Sequence, residues 1–182
     1  MKQIRQKTFE TNSSSTHSLV LGNRMDNYIP LSKHLKIEWI DTDDYYFLDT
    51  LEGKLSYLIS HLANKLKWSC NTYEELLEEI SNNFEYKQIE EYIQKKFDKK
   101  IRFPSNKNGI YDDVEYIAEI NHQLIPWGQG GVIEEVLDEL IRYSENEKEE
   151  RIYDSNIELD LSFEQKLDLY FEDKSYIKFG RD

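Results

Sequence analysis

The 182-residue sequence predicts an α+β domain, a small, mostly antiparallel sheet packed with several helices, with residues 1–182 forming one domain. Three observations predict it. Apolar residues alternate with period two near both ends, at 18–21, 35–39, 157–161 and 176–179, as strands with one buried face require. Between these runs, Leu51, Leu55, Leu58, Ile59, Leu62 and Leu66 recur at helical spacing and give one apolar stripe, the clearest helix in the chain. Finally, thirteen Tyr, eight Phe and three Trp supply large rings for the core, which argues against wholesale disorder in a chain only 38% apolar.

In chain order, residues 1–9 alternate weakly and read as a first strand bearing Lys2, Arg5 and Lys7. A polar loop follows over 9–18, and a strand leaves it at 18–22. Gly22-Asn23 offers a turn, and Pro30 sits where a helix would not run through. Residues 35–39 alternate as another strand. Asp41-Thr42-Asp43-Asp44 reads as a solvated turn and helix lead-in; its likeness to a calcium loop fails because the required Gly and closing Glu are missing. The long helix spans 49–68, with His61 at the boundary of its stripe and Cys70 as a structural thiol beyond its end.

Thr72-Tyr73-Glu74-Glu75 has the Thr-x-x-Glu form of a capping box and starts a second helix through Leu76, Leu77 and Ile80. Tyr86, Ile89, Ile93 and Phe97 mark a third, closed by lysines at 95, 96, 99 and 100, where the helix dipole favours cations. Residues 101–104 read as a short strand, 105–109 as a turn and 116–120 as a strand. Glycines 128, 130 and 131 then lead into a helix over 132–143. Such an entrance can cradle phosphate on backbone amides, but no Lys-Ser or Lys-Thr follows, and Glu134 and Glu135 oppose an anion. That helix buries Val132, Ile133, Val136, Leu137, Leu140 and Ile141, and 144–151 reads as a charge-rich linker. Ser162 with Gln165 caps a last helix through Leu167, Leu169 or Tyr170 before the returning strand.

Charge is uneven. The net charge is −13, yet residues 1–40 carry six Lys or Arg against three Asp or Glu, so the acidity lies in the rest of the chain. Residues 134–173 hold fifteen acids against four bases. An acidic body repels nucleic acid and membrane surfaces and is drawn to basic proteins, including those that handle nucleic acid. One cysteine excludes an intrachain disulfide and a cysteine-built metal cluster, which fits a reducing cytoplasm. No apolar targeting core opens the chain, and no run approaches the roughly eighteen apolar residues of a spanning helix. A protein of the bacterial host cytoplasm, with no membrane partner, no metal and no cofactor, is the expectation.

The densest stretch is Phe9-Glu10-Thr11-Asn12-Ser13-Ser14-Ser15-Thr16-His17-Ser18-Leu19, with six hydroxyls, an amide and an imidazole in eleven residues. Asn12, Ser13, Ser14, Ser15, Thr16 and His17 satisfy nearby backbone locally, which favours a turn over a helix or a ladder. Ser and His are also the raw material of a nucleophile and its base, but no nucleophile-elbow glycine flanks them. The segment 5–19 resembles the start of a scattered group of small proteins from Firmicutes and their phages. Within that group, an acidic chain of this size resembles a type II-A anti-CRISPR, a phage-encoded inhibitor of the nuclease Cas9.

The resemblance implies an anti-CRISPR protein, not an enzyme, that binds Cas9 or the Cas9–guide RNA complex and blocks target DNA recognition or cleavage. Charge supplies the means, since Cas9 holds its heteroduplex in a positive channel that an acidic helix face can enter. Glu134, Glu135, Asp138 and Glu139 are the expected partner contacts. Lys2, Arg5 and Lys7 are the expected nonspecific contacts to double-stranded DNA. A ring-lined patch could support a homodimer, although no heptad or zipper specifies one. The alternatives are a small Ser/His-dependent hydrolase of unknown substrate, using Ser13 to Ser15 with His17 and a distant acid or His122, and a non-enzymatic phage structural or regulatory protein.

Overall fold

A computed structural model describes residues 15–21, 29–41, 46–118, 120, 131–149, 160–172 and 175–181. Among them run β1 (Ser15–Leu21), β2 (His34–Lys36), β3 (Tyr46–Leu48), α1 (Leu51–Leu66), α2 (Tyr73–Asn82), α3 (Phe84–Phe97), β4 (Lys100–Arg102), α4 (Val132–Glu149), α5 (Phe163–Tyr170) and β5 (Ser175–Arg181). Short 3-10 turns occupy Lys67–Ser69 and Val114–Tyr116. The class is α+β.

The single, mostly antiparallel sheet expected from the sequence does not form. The described strands fall into two separate sheets, and the pair beside α1 and α3, β2 with β4, is parallel, with Leu35 opposite Ile101. Connectivity is the reason. The chain between β2 and β4 passes through α1, α2 and α3, and a long helical crossover returns it in the direction in which it left, as parallel pairing requires. The other sheet joins the two ends of the chain. Its order is β1-β5-β3, with β5 central and antiparallel to both neighbours, so that His17 stands opposite Phe179 and Tyr46 opposite Phe179 on the other side.

The expected polar loop over 9–18 is corrected over its last four residues. Ser15, Thr16, His17 and Ser18 belong to β1 and pair with Arg181, Gly180, Phe179 and Lys178. The partner strand β5 offers ladder bonds to alternate residues of β1, which outweigh the local side-chain bonds that such residues otherwise favour. Residues 9–14 lie outside the described residues, as does the expected first strand at 1–9.

The organising element is α1. Thr50 caps it, its Oγ1 accepting the Gly53 N–H at 3.0 Å. Of its apolar stripe, Leu51, Leu55, Leu58, Ile59 and Leu62 are fully buried and Leu66 partly so, but burial extends past the stripe: Lys54, Ser56, Ser60, His61 and Asn64 also lie inside. His61 is therefore no boundary residue; it packs edge-on against the Tyr57 ring, 4.6 Å between centroids. Polar groups buried in this way must be satisfied internally. Glu52, Ser56 and Ser60 accept the backbone N–H groups of Lys36, Glu38 and Ile40 at 2.7, 3.0 and 3.0 Å. Lys54 Nζ donates to the carbonyls of Tyr170 and Glu172, and Tyr170 Oη donates back to the Lys54 carbonyl at 2.7 Å.

These side chains also explain why the strand expected at 35–39 ends its ladder at Lys36. Beyond Ile37, whose N–H still reaches the Arg102 carbonyl, the chain bonds to α1 instead of to a strand. Among the described residues of the strand expected at 116–120 no strand forms, for a related reason. Asp113 caps a 3-10 turn, Ala118 takes a left-handed φ of 53°, and Lys67 Nζ and Asn64 Nδ2 claim the carbonyls of Ile117 and Ile120. Of the strand expected at 157–161, residues 157–159 lie outside the described residues, and Asp160 and Leu161 take no regular structure.

The remaining helices start where the sequence says. Thr72 Oγ1 accepts the Glu75 N–H, and Glu75 reaches back chiefly to the Asn71 N–H, at 2.7 Å, with a lesser contribution from the Thr72 backbone. Ser162 and Gln165 form a complete capping box for α5. Helix α4 runs on to Glu149, so most of the expected linker at 144–151 is helical; Glu and Lys are good helix formers and need no linker to stay solvated. Helix α4 packs on α1, α5 and β1. Two ring clusters flank the core, one of Trp39, Tyr73, Phe103, Tyr86 and Tyr111, the other of Tyr92, Phe97, Tyr170 and Phe171.

Candidate functional site

Two helices carry acid pairs one turn apart, and the fold treats them in opposite ways. On α4, Glu134 and Asp138 are four residues apart, and Lys166 of α5 sits between them, its Nζ 2.8 Å from a carboxylate oxygen of each. Lys166 is almost completely buried, with its side chain 5% exposed. Burial pulls its ammonium down, but the hydrogen bonds to Asp138 and Glu134 and their charges outweigh that and hold it above its ordinary value. Two of the four acids expected as partner contacts are thus committed to the molecule's own lysine. Glu135 and Glu139 are half-buried on the same helix.

On α2, Glu74 and Glu78 form one such pair and Glu75 and Glu79 another, and all four are exposed. No basic residue lies in Tyr73–Asn82, and among the described residues no ion pair reaches these glutamates. Like charges one turn apart, about 5–6 Å between Cβ atoms, destabilise a helix by roughly 0.2–0.5 kcal/mol per pair. The Asn71 backbone N–H, with further help from its side-chain amide and the Thr72 backbone, holds Glu75 below the usual carboxylate range. The repulsion within each pair is met by no basic side chain among the described residues.

This face continues into a groove. One wall comes from the end of α1, with Trp68, Cys70 and Asn71; the other comes from the turn that carries Asp112, Asp113 and Glu115, all three exposed. Asp113 Oδ1 accepts the Glu115 N–H and Asp112 Oδ1 accepts the Asn106 side-chain amide, so both carboxylates are held in place. Glu75 accepts the Asn71 N–H and side-chain amide, and Asn71 lines the groove, which sets this α2 carboxylate at its rim. Burial raises the Cys70 thiol, and the charges of Glu79 and Glu75 add to the rise. Trp68 stands 71% exposed at its edge.

The entrance to α4, where glycines lead into a helix, already holds its anion. Glu85 of α3 is buried, and its Oε1 accepts the Glu134 N–H at 2.9 Å, with the N–H groups of Ile133 and Val132 also bonded to the carboxylate. A Cβ on Gly131 would collide with the Glu85 carboxylate. An internal carboxylate thus takes the place a phosphate would need. Nothing in the sequence around Glu85 signals this, because its partner lies nearly fifty residues away.

Of the other expected site residues, Ser15, Thr16 and His17 lie in β1. Lys2, Arg5, Lys7, Asn12, Ser13, Ser14 and His122 lie outside the described residues. Among the described residues no group of three His, Cys, Asp or Glu could hold a metal ion, and no helix is long and apolar enough to cross a membrane. The α2 face was missed in the sequence although its signal was present: four glutamates in six residues without one lysine or arginine. No family model, curated protein or solved structure matches this chain.

Proposed function

We propose that this protein is a non-enzymatic binding module that presses an acidic surface, α2 with the turn at 112–115, onto a basic nucleic-acid-binding face of a partner protein, and that the partner is Cas9 loaded with its guide RNA. The observation that carries the reading is the contrast between α4, whose acid pair is neutralised by Lys166, and α2, whose two acid pairs stay exposed with no basic partner among the described residues. Carboxylates at one-turn spacing on a rigid helix present a ladder of negative charge to a channel built for phosphates. Such a surface steers encounter with a positive partner and occludes its nucleic-acid path. The identity of the partner rests on the resemblance of residues 5–19 to the anti-CRISPR group. Lys2, Arg5 and Lys7 belong to the same proposal as nonspecific, salt-sensitive contacts to double-stranded DNA. The hydrolase alternative rests on Ser15 and His17, whose backbone lies in β1, and on Ser13, Ser14 and His122, which lie outside the described residues.

The test mixes guide-loaded Cas9 with this protein and follows target-duplex binding and cleavage separately across salt concentrations. The expected result is loss of duplex binding, relieved by salt and by the combined substitution Glu74→Gln, Glu78→Gln and Glu79→Gln. Cleavage lost while duplex binding persists would reject occlusion and keep inhibition. Absence of any effect at stoichiometric excess on several Cas9 orthologues would reject the target.

A further inference from the structure

We propose that the groove beside Trp68 is a docking site for an arginine side chain of the partner protein, with the indole as its stacking surface and Asp112, Asp113 and Glu115 as the carboxylates that hold its guanidinium. The inference rests on the acidic surface described above, but not on which protein bears the arginine.

The groove measures about 520 Å³, room for a short peptide segment. Its charge is one-sided. Against three exposed carboxylates it holds one base, Lys67, and that ammonium is turned inward: Lys67 is buried, and its Nζ donates to the Ile117 carbonyl at 3.0 Å. Glu75, bonded to the lining residue Asn71, adds further negative charge from the side of α2. An anionic ligand is repelled from such a site and a cation drawn to it.

Trp68 narrows the cation to a guanidinium. Lys67 Nζ already lies 5.3 Å from the centre of the indole ring, on one face. With 71% of the residue exposed, the indole keeps ring surface open to a visitor. A large aromatic so exposed beside fixed carboxylates matches the planar guanidinium, which stacks on a ring while its edge donates two parallel bonds to a carboxylate. A lysine ammonium has the charge without the plane, and a phosphate has the wrong sign. Asp113 and Asp112 are held by Glu115 N–H and by Asn106, so the carboxylate edge needs little reorganisation on binding.

The experiment titrates the full chain with a nine-residue arginine-rich peptide and with a lysine peptide of the same length and charge, at one fixed salt concentration, by calorimetry. The expected outcome is a preference for arginine of about fivefold or more, the range that an exposed to partly desolvated cation–π contact supports. Trp68→Leu should remove most of that preference while leaving the lysine peptide's affinity nearly unchanged, and Glu115→Gln should weaken both peptides. Equal affinities for the two peptides, or a preference that survives Trp68→Leu, would overturn the proposal. Both variants change exposed side chains, and their helical circular dichroism checks that the fold is kept. The Cas9 assay separates this inference from the wider function. An arginine preference in a protein that leaves every Cas9 untouched supports the groove and rejects that target. Cas9 inhibition undiminished by Trp68→Leu keeps the target and rejects the groove.

Discussion

Ser60 Oγ accepts the backbone N–H of Ile40 at 3.0 Å, and both groups are buried. The bond is the last of three that run in step. Lys36, Glu38 and Ile40 are two residues apart along an extended chain, and Glu52, Ser56 and Ser60 are four apart along α1. Two extended residues rise about 6.6 Å and four helical residues about 6 Å, so the two periods nearly match and the helix offers an acceptor to each inward N–H. A helix here does the work of a neighbouring strand.

Ser60→Ala should therefore lower stability by about 1–3 kcal/mol, since it leaves the Ile40 N–H buried without an acceptor. Ser56→Ala should cost less, because the Glu38 N–H is only partly buried. Denaturant unfolding of the two variants checks the order, and an equal loss for both would reject the role of burial.

The triad of Lys166 with Glu134 and Asp138 should behave asymmetrically. Neutralising both acids together, Glu134→Gln with Asp138→Asn, leaves a buried ammonium without a counter-charge and should cost roughly 3 kcal/mol or more. Glu134→Gln alone, at the more exposed acid, should cost about 1 kcal/mol. Thermal unfolding measures both. A double variant as stable as the wild type would show that Lys166 finds another partner.

Gly131→Ala should destabilise by about 1–3 kcal/mol by driving a methyl group into the Glu85 carboxylate. In a Glu85→Ala background the same change should cost far less. The double-mutant cycle isolates the collision, and additivity of the two substitutions would argue against it.

Glu85 and Asp168 should give stability opposite dependences on acid. Burial raises the Glu85 carboxyl above its ordinary 4.5, against the backbone N–H bonds that pull it down. The folded state binds that proton more tightly than the unfolded chain, so the contribution is full below pH 4.5 and is lost as pH rises through the folded value. Asp168 is lowered from 3.8, chiefly by its hydrogen bond from Lys96, with a further bond from Tyr92. Its contribution is present above pH 3.8 and is lost as pH falls through the folded value. Unfolding free energies against pH should show the wild type gaining on Glu85→Gln as pH drops from 7 toward 4. Against Asp168→Asn the wild type should lose ground below pH 3.8, by no more than about 1 kcal/mol at this exposed ion pair.

By itself the sequence determined the helices. The stripe from Leu51 to Leu66, the Thr72 and Ser162 caps and the apolar set of α4 are local features, legible because apolar spacing and capping residues recur within one or two turns. Only the tertiary structure decided which polar residues face inward. Periodicity marks where apolar side chains fall, but it cannot tell a serine in water from Ser60 against an N–H twenty residues away, or a solvated lysine from Lys54 holding the end of α5. Strand direction was equally hidden, because the parallel pairing of β2 with β4 depends on where three intervening helices return the chain. The acids show the same division. Their number and spacing on α2 and α4 can be read from the sequence, whereas the arrival of Lys166 between one pair and not beside the others follows from how α5 packs on α4.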